Sequence, residues 1–173
     1  HKYKVEVVPH MICAGFNREE TENALIDLHF LGVNNLLVLR GDADEASRRF
    51  VPEPDGHAHA TGLLHQVMHM NEGKYQDENL EYQAPTGFSV GVAGYPEKHA
   101  EAPNPDHDLM WLKNKIAGGA EYIVTQMFFD NSRYFSFVER CRDAGIHVPI
   151  VPGLKPVSIK NHLNILPETF HVD

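Results

Sequence analysis

The sequence predicts an α/β protein on a parallel sheet, the chain supplying about five of the eight β/α units of a TIM-type (β/α)8 barrel. Three observations carry that expectation. Strand-length apolar runs alternate five times with segments of helical periodicity. Each run ends in polar or aromatic residues, which suits a ligand-holding rim at the carboxyl ends of parallel strands. The loop after the first run, His10-Met11-Ile12-Cys13-Ala14-Gly15, is not the glycine-rich phosphate loop that a doubly wound sheet would place there. A whole barrel takes about 250 residues, so 173 residues make part of one. An open doubly wound sheet of five strands is the competing architecture.

The first strand is expected over 3–13, with Val5, Val7 and Val8, then Pro9 removing an amide before His10. Asn17 with Glu20 three residues on forms a capping box. The helix it opens carries Ala24, Leu25, Leu28 and Leu31 on one face and closes at Gly32. The second strand, Asn35-Leu36-Leu37-Val38-Leu39, is apolar enough to be buried on both faces, and ends abruptly in Arg40-Gly41-Asp42. A strand-end ion pair around a turn glycine is the plain reading of that ending. A ligand approaching the backbone where a side chain is missing is the functional one. An adhesion signal would need an exposed hairpin tip. A polar insertion over 43–56 reads as a surface loop, and 60–70 as a helix through Leu63, Leu64, Val67 and Met68. A second polar stretch covers 71–87. The third strand runs over 88–95 into Pro96-Glu97-Lys98-His99. The next helix opens at Pro105 or Asp106 and ends at Gly118-Gly119. The fourth strand covers 122–125 and leads into Gln126-Met127-Phe128-Phe129-Asp130. A helix over 132–144 stops at Gly145, the fifth strand covers 148–151, and a last helix covers 159–166. Phe128 and Phe129 are assigned to barrel packing.

Composition narrows the partners. Hydrophobic content of 42% and charged content of 23% are those of a soluble globular domain. A net charge of -9 with no basic stripe argues against nucleic acid and against an anionic membrane surface. No apolar run is long enough to span a bilayer, and no signal peptide is visible. Cys13 and Cys141 lack metal-ligand spacing and read as buried free thiols in a reducing, cytoplasmic setting. Twelve histidines invite a metal-binding alternative, since His57, His59, His65 and His69 cluster and the last two are spaced i, i+4. However, Gln66 stands where a metalloprotease motif needs glutamate, and no third ligand is evident, so no metal site is assigned.

The strand-end sequences Pro9-His10-Met11-Ile12-Cys13, Leu39-Arg40-Gly41-Asp42, Ala93-Gly94-Tyr95-Pro96-Glu97-Lys98-His99-Ala100-Glu101-Ala102, Thr125-Gln126-Met127-Phe128-Phe129-Asp130 and Pro152-Gly153-Leu154-Lys155-Pro156-Val157-Ser158 follow one another over nearly the whole chain. Together they resemble the methylenetetrahydrofolate reductase family, bacterial type. The resemblance implies a barrel holding FAD at its mouth and ping-pong chemistry. A nicotinamide donor reduces the flavin and leaves, and 5,10-methylenetetrahydrofolate then takes the hydride to become 5-methyltetrahydrofolate. It implies Asp42 beside flavin and folate, stabilising the folate 5-iminium cation, and Gln126 as the substrate amide. It implies flavin contacts at His10, Arg40, Gly41, Ala60, Tyr95, His99 and Ala102. Asp108, Trp111 and Lys115, on one helix face, would grip the adenosine and diphosphate. His162 falls where relatives carry a glutamine that contacts folate.

The family's first strand carries a glutamate that serves as general acid, and nothing in this chain matches it or the second and eighth strands. The chain is therefore read as a single partial barrel domain over 1–173, lacking N-terminal and C-terminal units, that alone would neither close nor turn over. NADH and NADPH both stay open as co-substrate, the acidic, compact character leaning to NADH. The oligomeric state is open too, a homo-oligomer included. A different flavin- or phosphate-binding barrel enzyme is the alternative.

Overall fold

The computed structural model describes residues 5–42, 50–162 and 166. Its elements are β1 (His10–Ile12), α1 (Arg18–Phe30), β2 (Asn35–Leu39), α2 (Ala60–Asn71), β3 (Ser89–Gly94), α3 (Pro105–Ala117), β4 (Tyr122–Met127), α4 (Asn131–Asp143) and β5 (Ile150–Gly153). The sheet order is β1-β2-β3-β4-β5, with β1–β2, β2–β3 and β4–β5 pairing in parallel. A doubly wound sheet reverses its strand order at the ligand crevice. This one never does. The winding is that of a stretch of TIM-type barrel.

The described residues fall into two compact units, one within His1–Val92 and Gly118–Ala120, the other within Ala93–Ala117 and Glu121–Asp173. In the first, Leu25, Leu36, Val38, Leu63, Leu64, Val67, Met70, Val90 and Val92 are wholly buried. Each side chain of this size contributes about 1.5–3 kcal/mol by leaving water. β2 is buried at Leu36, Leu37 and Val38 in succession, as a strand covered on both faces should be.

β1 is much shorter than expected. The register sets His10 opposite Leu37, which places Val8 opposite Asn35, the first residue of β2. Upstream of Val8, β2 therefore offers no residue to pair with, and Val5, Val7 and Val8 are left exposed. Strand length was set by the partner, not by the apolar run.

The capping box of α1 forms as expected. The Glu20 amide donates to the Asn17 side chain at 2.9 Å, and the Asn17 amide donates to the Glu20 carboxylate at 2.9 Å. At the other end Gly32 takes a φ of 74°, and its amide and that of Val33 donate back to the His29 and Leu28 carbonyls. The buried face differs from the expected one. Thr21, Glu22 and Leu25 point inward, while Leu31 is 65% exposed. A buried carboxylate needs a donor, and the Gln76 amide supplies one to Glu22 at 2.8 Å.

That bond belongs to the stretch 71–87, which is stapled rather than ornamental. Asn71, the last residue of α2, donates to the Phe88 carbonyl at 2.8 Å and accepts from the Phe88 amide at 2.9 Å and the Thr86 hydroxyl at 2.7 Å. The Tyr75 hydroxyl donates to the Ala84 carbonyl at 2.6 Å. One asparagine thus returns the loop to the start of β3. Of the insertion over 43–56, residues 43–49 lie outside the described residues. Beyond them, Gly56 bridges to Asn17, and the buried His57 meets Gln66, whose carboxamide nitrogen donates to the Arg18 carbonyl at 2.8 Å.

In the second unit Leu112, Ile123, Phe137, Cys141 and Ile146 are buried. A Cβ on Gly94 would lie 2.7 Å from Ile123 and 2.9 Å from Phe137, so strand and helix approach through the missing side chain. α4 is capped by Asp130, which accepts from the Ser132 amide at 2.8 Å, and is closed by Gly145 at a φ of 81°. β4 runs two residues further than expected and carries an irregularity between Val124 and Met127 against β5. Phe128 is buried and stacked on Tyr134 at 5.0 Å, as assigned, but Phe129 is 42% exposed and does not pack. Consecutive residues leaving a strand face opposite ways, so only one of the two reaches the core. The helix expected over 159–166 extends beyond the described residues.

Candidate functional site

In the first unit the ends of β1 and β2 are laced together. The Cys13 amide donates to the Leu39 and Arg40 carbonyls at 3.3 and 3.1 Å, which carries the pairing one step past Ile12. Gly41 adopts a φ of 88°, and a Cβ there would lie 3.1 Å from that of Ala14. Left-handed backbone and the neighbouring Ala14 both favour glycine here. Arg40 places its guanidinium over the Phe50 ring at 5.3 Å, and Asp42 is exposed. His10 opens β1 rather than ending it, contrary to its expected place, because the strand starts there. It is exposed. Ala60 is the first residue of α2, half-buried, behind His59 in extended conformation.

Burial pushes the His57 imidazole down from its ordinary value, against the opposing hydrogen bond from Gln66, while the Arg18 charge adds to the lowering. A ring that protonates less readily folded than unfolded favours the native state above about pH 6.5. That stability is lost as the pH falls below it. The urea midpoint is therefore expected to drop between pH 7.5 and 5.5, with His57→Gln flattening the drop. An unchanged slope in that variant would exclude His57 as the group responsible.

In the second unit the loop after β3 has a built interior. The Tyr95 and His99 rings meet edge to face at 4.7 Å. The His99 amide donates to the Asp108 carboxylate at 3.0 Å, and the Glu101 amide donates to His99 Nδ1 at 3.1 Å. An Nδ1 that accepts leaves the ring proton on Nε2. Lys98, overlooked in the sequence, donates to the carbonyls of His99, Ala100 and Ala102 at 3.0, 3.3 and 2.8 Å. Ala102 is buried under that ammonium group. On α3, Trp111 is 40% exposed, whereas Lys115 reaches inward to the Ala93 carbonyl at 3.1 Å. Burial holds the Lys115 ammonium below its ordinary value, and Asp108 opposes that lowering. Gln126, half-buried in β4, turns its carbonyl oxygen to the Met127 amide at 2.9 Å. Its carboxamide nitrogen has no partner among the described residues. His162 accepts from the Ser158 amide at 3.4 Å.

Both cysteines are buried and unbridged, and burial pushes each thiol up to about 11. Neither is a nucleophile at neutral pH. Among the described residues no group of three or more histidine, cysteine or carboxylate side chains is arranged to hold a metal ion, and no helix is long and apolar enough to cross a membrane.

The strand-end sequences match beyond this chain. A model of the family "Methylenetetrahydrofolate reductase" covers residues 1–172. The chain belongs to that family. Its relatives include the 5,10-methylenetetrahydrofolate reductase of Salmonella typhimurium, 36% identical over 89% of this chain and 45% of that protein. Methylenetetrahydrofolate reductase 2 of Saccharomyces cerevisiae is 35% identical over 89% of the chain and 24% of that protein. The chain thus spans less than half the length of these reductases. In fold it is similar to an uncharacterized protein from Clostridium thermocellum described as binding two copies of 5-methyl-5,6,7,8-tetrahydrofolic acid. That match has a TM-score of 0.60 at 12% identity and covers 98% of this chain and 50% of that one. A likeness at that identity speaks for the fold alone.

Proposed function

We propose that this chain forms part of a (β/α)8 barrel that reduces 5,10-methylenetetrahydrofolate to 5-methyltetrahydrofolate, with FAD as cofactor and NADH or NADPH as donor. The observation that carries the reading is the family match over residues 1–172, which takes in every strand-end signature in order. When bound, the flavin would accept a hydride from the nicotinamide and give it to the folate.

The side chains fit such a cofactor. A diphosphate needs positive charge, and the β3 loop region holds two ammonium groups, Lys98 and Lys115, each hydrogen-bonded to carbonyl oxygens, with Asp108 acting on the second. We assign Asp108, Lys115 and Trp111 to the adenosine and diphosphate, the first two positioning the loop from beneath. Tyr95, His99 and Ala102 form the loop wall, and His10, Arg40, Gly41 and Ala60 make the first unit's contacts. The free carboxamide N–H groups of Gln126 suit a pterin or nicotinamide carbonyl. Asp42 supplies negative charge to the folate, and His162 stands in for the family's glutamine.

The full-length protein is expected to purify yellow, to bind FAD stoichiometrically, and to oxidise 5-methyltetrahydrofolate with an artificial electron acceptor. A flavoprotein inactive toward that folate would point to a different barrel enzyme. A protein that takes up no FAD would end the proposal.

A further inference from the structure

Away from the strand ends, the first unit carries a cleft of about 280 Å³ between the start of α1, one side of α2 and the turn at 73–76. Its volume falls just under the range of about 300–1,000 Å³ that encloses drug-sized ligands, so it suits a small group rather than a dinucleotide. In a chain of net charge -9 its wall is unusually rich in cations and imidazoles: Arg18, Lys74, His57, His65 and His69, against one acid, Glu22. We propose that this cleft binds a phosphate group.

The partners already made inside the wall decide which groups remain for a ligand. Glu22 is buried with its carboxylate turned to the Gln76 amide at 2.8 Å, so its charge is partly answered. Lys74 is shared with Glu72 in an exposed pair and adds little. His57 is held by Gln66 and packs on Gly62, where a Cβ would lie 2.9 Å from Nδ1. At the start of α1 the Glu20 amide is taken by the Asn17 side chain. Arg18, His65 and His69 are different: among the described residues none of these side chains makes a hydrogen bond. His65 and His69 are one helical turn apart on one face of α2, both exposed. A planar guanidinium fork and two imidazoles lining one cleft match a tetrahedral oxyanion.

The same two imidazoles would suit a divalent metal were they alone. The Arg18 guanidinium on the same wall disfavours a cation, and no third ligand completes such a site among the described residues. The charge favours the anion.

The test is titration of the protein with inorganic phosphate, read by NMR on the histidine ring resonances at constant ionic strength, with chloride as control and zinc as a separate arm. Saturable shifts of the His65 and His69 signals are expected with phosphate and not with chloride. Arg18→Ala should weaken phosphate binding at least 10-fold, through the loss of a charge-assisted hydrogen bond. His69→Gln is the second variant, expected to weaken it several-fold should Arg18→Ala fail to fold. Adenosine monophosphate binding more tightly than inorganic phosphate would uphold the site and assign it to a phosphomonoester, and equal affinity would uphold it for free phosphate. Shifts that never saturate, that chloride reproduces, that survive both substitutions in folded protein, or that only zinc produces would overturn the proposal.

Discussion

Asp42→Asn is expected to slow hydride delivery to the folate by about 10²–10³-fold, the usual cost of removing one charge-stabilising group from a reacting centre. The nicotinamide half-reaction should stay within a few-fold of its original rate. The asymmetry follows from where charge develops. In the proposed reaction folate would pass through a 5-iminium cation before accepting hydride, and the exposed Asp42 carboxylate just beyond β2 would answer that positive charge. The nicotinamide, by contrast, starts neutral and gains only part of its positive charge by the transition state, as its hydride leaves. Asparagine preserves shape and hydrogen bonding, so the loss isolates the charge. Stopped-flow traces of the two half-reactions in the full-length enzyme decide the matter, and equal slowing of both would remove Asp42 from that role.

Gly153→Ala is expected to destabilise the protein by about 3 kcal/mol or more, at or beyond the upper end of the usual cost of overpacking. A Cβ on Gly153 would fall on the Thr125 carbonyl oxygen, a backbone atom with nowhere to retreat. The Gly153 amide also donates to the Thr125 hydroxyl at 2.9 Å, so strand and side chain are fixed together at the irregularity between Val124 and Met127. Gln126 lies inside that irregularity, and loss of the close approach would displace it as well. Thermal unfolding of the variant beside Gly145→Ala supplies the comparison, since a Cβ at position 145 meets nothing within 4 Å and only its positive φ opposes it. A Gly153 variant no less stable than the Gly145 one would refute the steric account.

What could be read in the sequence was what is decided locally. The alternation of strand and helix, the Asn17–Glu20 box and the glycines at 32 and 145 depend on near neighbours, and the structure contains them all. What escaped was set by distant partners. β1 starts late because β2 offers no partner before Asn35, although the valines ahead of it look like strand throughout. That Ala14 lies beside Gly41 could not be read, since the two are distant in sequence. Asn71 and Lys98 went unnoticed because an asparagine after a helix and a lysine in a loop are ordinary until their carbonyl partners are known. The same holds for His57, whose place in a cluster of histidines gave no sign that Gln66 would hold it.

The three carbonyls gathered by Lys98 have a further consequence for how this protein tolerates change. A single tetrahedral nitrogen organises the turn from His99 to Ala102 by pointing a proton at each oxygen. A flat guanidinium has its donors in one plane and a longer reach, so arginine, the exchange that keeps the charge, would not reproduce that knot. Acylation of the same amine would leave only one proton to share among three acceptors. The segment that presents His99 therefore owes its shape to the geometry of one ammonium head, and a substitution that looks conservative by charge alone would be disruptive.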